Sequence, residues 1–358
     1  MTDASLGVCN PRQIKEFIFD ALEAGLVPFV KSSPGAGKSS IVRQIADQFG
    51  LVVLDHRLST SVQEDMTGIP YFIDAPNGGK YARFAPFSHI FPLQGMPVPE
   101  GKNGWLIFFD EFNSADERVQ AACYKVILDR MIGLEYLHEN AVIVCAGNLE
   151  TDRAITTQMS TAMQSRLVNL EMQVDFRCWL EDVALKEGYD FRIIGFLSQW
   201  NSKLMDFRPD HNEKTFCCPR TWEFMNRLVK GKDFKKTEDS FEMERKMPLY
   251  GGTITSGVAV EFVQFCKIAT EVIKIHEIIG DPDNCRLPMD NVLKWATISS
   301  MIEHINEKNF GPLSVYADRF EVNFRVLFYR SVLAKHPKLQ KHPAYAKAAL
   351  ELMKYLSS

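Results

Sequence analysis

The sequence predicts an α/β fold with a parallel sheet core, a β-hairpin insert, a helical lid and a helical C-terminal segment. Short apolar runs alternate with helical patterns up to residue 172, which is typical of a parallel α/β core. A glycine-rich turn joins the first run to a helix, and another run ends in two carboxylates. Beyond residue 172 the pattern becomes helical. We assign 1–172 to the core, 173–230 to the lid and 231–358 to the C-terminal segment.

Five strands are predicted, each from an apolar run of strand length next to a helical pattern. They cover residues 26–31, 51–56, 106–110, 141–146 and 167–172. Between the second and third strands, runs at 71–73 and 80–84 flank a proline, an asparagine and two glycines at 76–79, a sequence that favours a β-hairpin. This hairpin, spanning residues 70–85, is predicted as an insert on the core.

Composition narrows the class of protein. The 358 residues are enough for two or three domains with a sizeable core. A net charge of −4, with acids and bases mixed, indicates no basic surface for nucleic acid. The eight cysteines lack a CxxC spacing, which favours reduced thiols over a zinc site or a disulfide framework. No apolar run reaches the length of a membrane helix and no signal-peptide pattern is seen, so we expect a cytoplasmic protein.

The segment 32–40 is a glycine-rich turn followed by Lys-Ser at the start of a helix, a pattern that holds phosphates. Gly35 and Gly37 let backbone N–H groups turn toward an anion, and the helix N-terminus adds partial positive charge. We predict that Lys38 reaches the β- and γ-phosphates and that the Ser39 hydroxyl binds Mg²⁺. The alternative is an ordinary glycine-rich turn, since Ser32 stands where the strict pattern has glycine. The candidate nucleotide-binding residues are Ser33, Pro34, Gly35, Ala36, Gly37, Lys38, Ser39 and Ser40.

The apolar run 105–109 ends in Asp110 and Glu111. It is typical of a buried parallel strand, whose carboxyl end lies where ligands bind in open α/β sheets. We predict that Asp110 holds Mg²⁺ and that Glu111 polarises the attacking water. The alternative is that the two acids cap the helix that follows.

Together these motifs resemble those of the AAA+ ATPases, and within them the MoxR-type group of bacteria and their phages, over roughly the first three-quarters of the chain. Segment 142–148 resembles the strand that ends in the family's polar sensor, which implies that Asn148 orients the water. Segment 160–167 resembles the element that carries the arginine finger, which implies that Arg166 reaches a neighbouring subunit's γ-phosphate. The candidate catalytic residues are Glu111, Asn148, Arg166 and Arg220, with Ser39 and Asp110 as metal ligands.

Arg220 comes from segment 216–223, which resembles the lid motif carrying the family's second sensor and implies contact with the nucleotide of the same subunit. It follows Pro219 at a predicted helix start, where the helix dipole disfavours a cation by about 0.3–1 kcal/mol and an anionic ligand would reverse that sign. The alternative is a surface arginine whose stem packs on Trp222 or Phe216.

Alternatives also stay open for Asn148 and Arg166. Asn148 could cap the turn that follows it. Arg166 could form a salt bridge to Glu171 or Asp175, and Arg153 is a rival for the finger.

The resemblance implies a Mg-ATP-dependent hydrolase, with ATP and Mg²⁺ bound, acting as a hexameric ring. It further implies a chaperone-like action on a protein client, with a von Willebrand factor A domain partner. One rival function is a nucleotide-gated scaffold with little hydrolysis. It is favoured by Ser32, which stands where the strict phosphate-loop pattern has glycine. The other is a nucleic-acid motor or loader, although the insert offers only Lys80 and Arg83 as basic residues. No residue specifies ATP over GTP.

Overall fold

The computed structural model describes residues 7–87, 90–152, 157, 159–237 and 240–356. The chain divides into two compact units, Met1–Val174 and Asp175–Ser358. The first unit is α/β and the second is helical. The finer division of the second unit into a lid and a C-terminal segment stays a prediction.

The strands all lie in the first unit as far as the structure describes it. They are β1 (Val8–Cys9), β2 (Val27–Lys31), β3 (Leu51–Arg57), β4 (Ile69–Asp74), β5 (Lys80–Ala85), β6 (Gly104–Asp110), β7 (Met131–Ile132), β8 (Glu135–Tyr136), β9 (Ala141–Gly147) and β10 (Leu167–Met172). Six of them form one sheet in the order β1-β10-β2-β9-β6-β3, and every pairing in it is parallel. The predicted parallel α/β fold is confirmed.

The five predicted strands are present with ends that differ by at most two residues. Leu26, predicted inside the first strand, lies outside it with half of its surface exposed. The structure adds β1, whose two residues are too few to form a recognisable apolar run. It also adds the short antiparallel pair β7–β8.

The hairpin insert is formed by β4 and β5, which pair antiparallel from Ile69 opposite Ala85 to Asp74 opposite Lys80. Its apolar side chains remain in contact with solvent. Phe72 is 74% exposed and Tyr71 is 43% exposed. Within the first unit the hairpin therefore forms a separate two-stranded sheet outside the apolar core.

Helices connect the strands of the first unit. They are α1 (Pro11–Glu23), α2 (Lys38–Gln48), α3 (Gln63–Thr67), α4 (Glu117–Leu128) and α5 (Thr161–Gln164). Two apolar clusters show how they are layered. One contains Ile14 of α1, Ile41 of α2 and Phe108 of β6, and the other contains Phe109 of β6 and Val119 of α4. The sheet therefore lies between α1 and α2 on one face and α4 on the other.

Strand β6 fixes the centre of this unit because all seven of its residues are buried. Leu106 and Phe108 point into one cluster and Ile107 and Phe109 into the other, as the two-residue period of a strand requires. Each of these side chains contributes about 1.5–3 kcal/mol when fully buried. The continuous apolar run thereby holds the carboxyl end of β6 in a fixed position.

The regular secondary structure of the second unit is helical in its described residues, apart from one isolated β-bridge between Lys236 and Phe241. Its helices are α6 (Phe176–Trp179), α7 (Phe191–Gln199), α8 (Pro219–Val229), α9 (Met247–Ile254), α10 (Ser256–Ala269), α11 (Ile275–Gly280), α12 (Asn291–His304), α13 (Phe310–Ala317), α14 (Val322–Lys335) and α15 (Pro343–Leu356). Phe196 of α7 lies at the centre of an aromatic cluster, with ring centroids 5.6 Å from Trp222 and 5.4 Å from Phe262. Among the described helices of either unit, none is both long enough and apolar enough to cross a bilayer.

Candidate functional site

Three neighbouring strands of the sheet, β2, β9 and β6, lead into the predicted site residues of the first unit at their carboxyl ends. The glycine-rich loop follows β2, Asn148 follows β9, Asp110 ends β6 and Glu111 comes directly after it. Since parallel strands share one carboxyl edge, segments far apart in sequence meet there. Among the predicted residues of this unit that the structure describes, Arg166 is the exception.

The glycine-rich loop connects β2 to α2, as the sequence predicts. Gly35 and Gly37 have φ values of 75° and 101°, in the left-handed region that favours glycine. Gly37 is the N-cap of α2 and offers no side chain to its first N–H groups. These donors, together with the helix dipole, are available to an anion at the loop.

Lys38, the first residue of α2, directs its ammonium group back across the loop. Its Nζ donates to the Ser32 carbonyl at 2.9 Å, to the Ser32 hydroxyl at 3.1 Å and to Asn148 Oδ1 at 3.4 Å. Two predicted residues 110 positions apart thus meet. Ser32 is fully buried, so the serine that departs from the strict glycine pattern supplies an additional acceptor for the lysine.

Ser39 and Asp110 also meet. The Ser39 hydroxyl donates to Asp110 Oδ2 at 3.2 Å, and Asp110 Oδ1 accepts the backbone N–H of Glu111 at 2.9 Å. Asp110 is only 8% exposed. Hydroxyl and carboxylate oxygens are the protein ligands that Mg²⁺ accepts, usually together with water and substrate phosphates. The pair fits that role.

Glu111 lies just beyond β6 with a left-handed φ of 55°. Its carboxylate accepts a hydrogen bond from the Ser59 hydroxyl, and its Oε1 lies 3.7 Å from Arg57 Nε. Sequence reasoning missed both partners. Arg57 is opposite Asp110 in the β3–β6 register, and only that pairing brings the end of β3 to Glu111.

The capping alternative for the two acids is wrong. Asp116 is the N-cap of α4 and accepts the Arg118 backbone N–H at 2.8 Å. Glu111 instead opens the short 3₁₀ turn Phe112–Ser114 that separates β6 from α4. The two acids are therefore held at the sheet edge, one turn before the helix begins.

Asn148 is fixed through its backbone by Asn113, a third residue that the sequence analysis missed. Its N–H donates to Asn113 Oδ1 at 3.0 Å and its carbonyl accepts Asn113 Nδ2 at 2.8 Å. In the described part of the chain, the Asn148 side chain bonds to Lys38 and makes no bond to the turn at Glu150–Asp152. Within the described residues, the Asn148 side chain therefore does not cap that turn.

Arg166 immediately precedes β10, at the opposite edge of the sheet from Lys38. Leu167 pairs with Val27, the first residue of β2, so the five residues of β2 separate the two edges by roughly 16 Å. The Arg166 guanidinium donates to the Ala162 carbonyl at 2.5 Å and lies 4.6 Å from the Tyr124 ring centre.

No carboxylate among the described residues pairs with Arg166, which removes the salt-bridge alternative for that part of the chain. Its Nε is buried and finds no acceptor among those residues. Arg153, the rival for the finger, lies outside the described residues.

Arg220 is the second residue of α8 in the second unit, and it is exposed. Its helix begins with Pro219, and the Cys218 backbone N–H donates to the Thr221 hydroxyl at 2.9 Å. Trp222 is fully buried and donates its indole N–H to the Lys203 carbonyl at 2.8 Å. No hydrogen bond or ion pair of Arg220 is found within the described chain.

Two further groups near these strands are neutral. Burial lowers the pKa of His56, which stacks on Phe91 at 4.9 Å and precedes Arg57. At neutral pH it therefore adds no positive charge beside Glu111. Burial raises the pKa of Cys145 in β9 well above its ordinary value, which favours the thiol over the nucleophilic thiolate.

The sequence matches no protein-family model and no curated protein. Similar solved structures include a putative ATPase from Cytophaga hutchinsonii, 11% identical, with 96% of this chain and 88% of that chain covered at a TM-score of 0.34. Another is the RuvB Holliday junction branch migration motor of Thermotoga maritima, 16% identical, with 74% and 76% covered at a TM-score of 0.34. At such scores the fold assignment rests on the strand order and register of this chain.

Proposed function

We propose that this protein is a Mg²⁺-dependent AAA+ ATPase of the MoxR type that works as an oligomeric ring on a protein client. One observation carries the proposal: Lys38, Ser39, Asp110, Glu111 and Asn148 converge at the carboxyl edge of three adjacent parallel strands, β2, β9 and β6. A phosphate loop, a cation-binding pair, a general base and a polar amide at one edge are the parts that ATP hydrolysis needs.

In this mechanism the loop amides and Lys38 bind the phosphates of ATP. Ser39 and Asp110 would hold Mg²⁺, which when bound would neutralise charge on the phosphate oxygens. Glu111 accepts a proton from water while the water oxygen bonds to the γ-phosphorus. The bond from that phosphorus to the β–γ bridging oxygen breaks, and ADP leaves with the electron pair.

Asn148 and Lys38 are already in contact, so the amide lies beside the group that binds the phosphates. From there it orients the water that Glu111 deprotonates. Arg166 acts on a neighbouring subunit, since its own site lies at the opposite edge of the sheet. Contact of Arg220 with nucleotide, and a von Willebrand factor A domain partner for the client, remain part of the proposal by resemblance.

Ser59 offers a test of how Glu111 is held. Its hydroxyl occupies one Glu111 oxygen, and a hydrogen bond of this kind is worth about 0.5–1.5 kcal/mol net. Ser59→Ala is expected to raise basal kcat by about two- to tenfold, because the carboxylate no longer has to release a hydroxyl before it accepts a proton. Steady-state ATPase kinetics measure this.

Ser61→Ala is the matched control, since Ser61 lies in the same turn and donates to the Arg57 carbonyl instead of Glu111. A kcat that falls in Ser59→Ala while Ser61→Ala is unchanged would contradict the expectation. It would show that Ser59 aligns Glu111 for catalysis rather than restraining it.

The proposal itself is tested by ATPase activity per subunit across protein concentration, with Mg²⁺ present or chelated. We expect activity to rise cooperatively with concentration, because a finger supplied by the neighbour requires assembly, and to vanish without Mg²⁺. Nucleotide binding without turnover would instead establish the nucleotide-gated scaffold. Turnover that is independent of concentration would overturn the ring, and stimulation by DNA would favour the nucleic-acid motor.

A further inference from the structure

Asn113 lies two residues beyond Glu111, inside the 3₁₀ turn Phe112–Ser114, and only 3% of it is exposed. Its side-chain amide makes two hydrogen bonds to the backbone of one residue, accepting from the Asn148 N–H and donating to the Asn148 carbonyl. This pairing satisfies donor and acceptor together and so fixes the orientation of the amide. The turn after Glu111 is thus joined to the end of β9.

Gly147 shows how closely the two segments approach. A Cβ at this position would lie 2.3 Å from Asn113 Oδ1 and 2.8 Å from Phe29 Cζ. Both distances are shorter than any side chain tolerates, so the residue before Asn148 must be glycine for the Asn113 amide to reach its place. The absence of a side chain at Gly147 thus allows the Asn113 amide to reach the Asn148 backbone.

The backbone of Asn113 extends the connection. Its carbonyl accepts the Thr157 N–H at 2.7 Å, and the Ser114 N–H donates to the Glu111 carbonyl at 2.9 Å. One turn therefore contacts the Glu111 backbone, the Asn148 backbone and the chain that leads toward Arg166. No other asparagine in the described chain bonds to both backbone groups of a single residue.

We infer that Asn113 is a positioning residue that fixes Asn148 relative to Glu111 and thereby sets the rate of the hydrolytic step. This inference rests on the proposed function and deepens it. Lys38 contacts the Asn148 side chain from one side, while Asn113 holds its backbone from the other. Asn113 touches neither nucleotide nor water in this scheme, and it acts through Asn148 alone.

The first test compares Asn113→Ala and Asn113→Asp with the wild type. Misplacing a catalytic group by about 1 Å can cost about a hundredfold, so we expect kcat to fall by about ten- to hundredfold. ATP affinity should stay within about twofold, because the loop and Lys38 are untouched. Asn113→Asp keeps the acceptor for the Asn148 N–H but loses the donor, and it serves if the alanine variant fails to fold.

Asn103→Ala is the control, since Asn103 also donates its side-chain amide to a backbone carbonyl, that of Phe49, but at the amino end of β6. It should leave kcat unchanged. Equal kcat values for Asn113→Ala and the wild type would overturn the inference while leaving the ATPase proposal intact.

A double variant separates positioning from general structural support. If Asn113 acts through Asn148, then adding Asn113→Ala to Asn148→Ala should lower kcat by less than about twofold further. If the kcat loss of the double variant instead equals the product of the two single losses, Asn113 acts independently of Asn148, and the inference is overturned. The comparison needs no knowledge of the client.

Hydrogen exchange provides a readout that does not depend on turnover. The Asn148 amide, bonded to Asn113 in the wild type, should exchange about tenfold faster or more in Asn113→Ala. An unchanged exchange rate would overturn the inference even if the wild type proved unable to hydrolyse ATP. Absence of wild-type turnover would by itself refute only the proposed function.

Discussion

Glu111→Gln is expected to lower kcat for ATP hydrolysis by about 10²–10⁴ while nucleotide binding is retained, because an amide cannot take the proton of the attacking water. The substitution preserves shape and still offers an oxygen to the Ser59 hydroxyl, which bonds to Glu111 now. Binding depends on the loop, Lys38 and the Ser39–Asp110 pair, none of which is altered. Turnover and equilibrium binding of a fluorescent ATP analogue measure the two effects separately.

The matched control is Glu117→Gln. Glu117 is the first residue of α4, exposed and six positions further along the chain. The substitution makes the same charge change, and within the described chain Glu117 forms no hydrogen bond or ion pair with Lys38, Ser39 or Asp110, so its turnover should equal that of the wild type. A Glu111→Gln protein that hydrolyses ATP at the wild-type rate would remove Glu111 as the base.

Arg166→Ala is the second substitution with a large expected effect. An arginine supplied from a neighbouring subunit is worth about 10³–10⁵ in rate in comparable phosphoryl-transfer systems, so turnover should become close to background. The geometry excludes action in the same subunit, because Arg166 lies at the amino edge of the sheet and Lys38 at the carboxyl edge.

The sharper measurement mixes Arg166→Ala with Glu111→Gln. Neither variant should be active alone, but in the proposed ring a mixed assembly would contain interfaces where an intact Arg166 faces an intact Glu111. With random assembly from equal amounts, about a quarter of the interfaces are of this kind, so about a quarter of wild-type turnover should return. Rescue cannot occur if Arg166 only packs on Tyr124, where a cation–π contact is worth about 0.5–1 kcal/mol.

Arg153→Ala and Arg118→Ala complete this experiment. Arg153 is the rival finger, and rescue by mixing that appears for Arg153→Ala but not for Arg166→Ala would reassign the role. Arg118 is exposed at the start of α4, and its removal should change nothing. Failure of every mixture, with both single variants able to bind nucleotide, would argue against a trans-acting site.

Local chemistry made much of this site predictable. The glycine-rich loop needs left-handed glycines and a helix N-terminus, and both are set by residues adjacent in the chain. The run before Asp110 has to be a buried strand because it is apolar at every position, and its end then fixes both acids. Asn148 and Arg166 were found only through resemblance to a family, since neither stands in a pattern that demands its role.

The sequence by itself determined the strands with continuous apolar runs, the glycine-rich loop before α2 and the pair of acids, because those features depend on neighbours within one segment. Only the tertiary structure decided that Ser59 and Arg57 hold Glu111 and that Asn113 holds Asn148. These contacts depend on the order of parallel strands, which places β3 beside β6 and β6 beside β9. Strand order is set by packing across the whole sheet, and no single stretch of sequence records it.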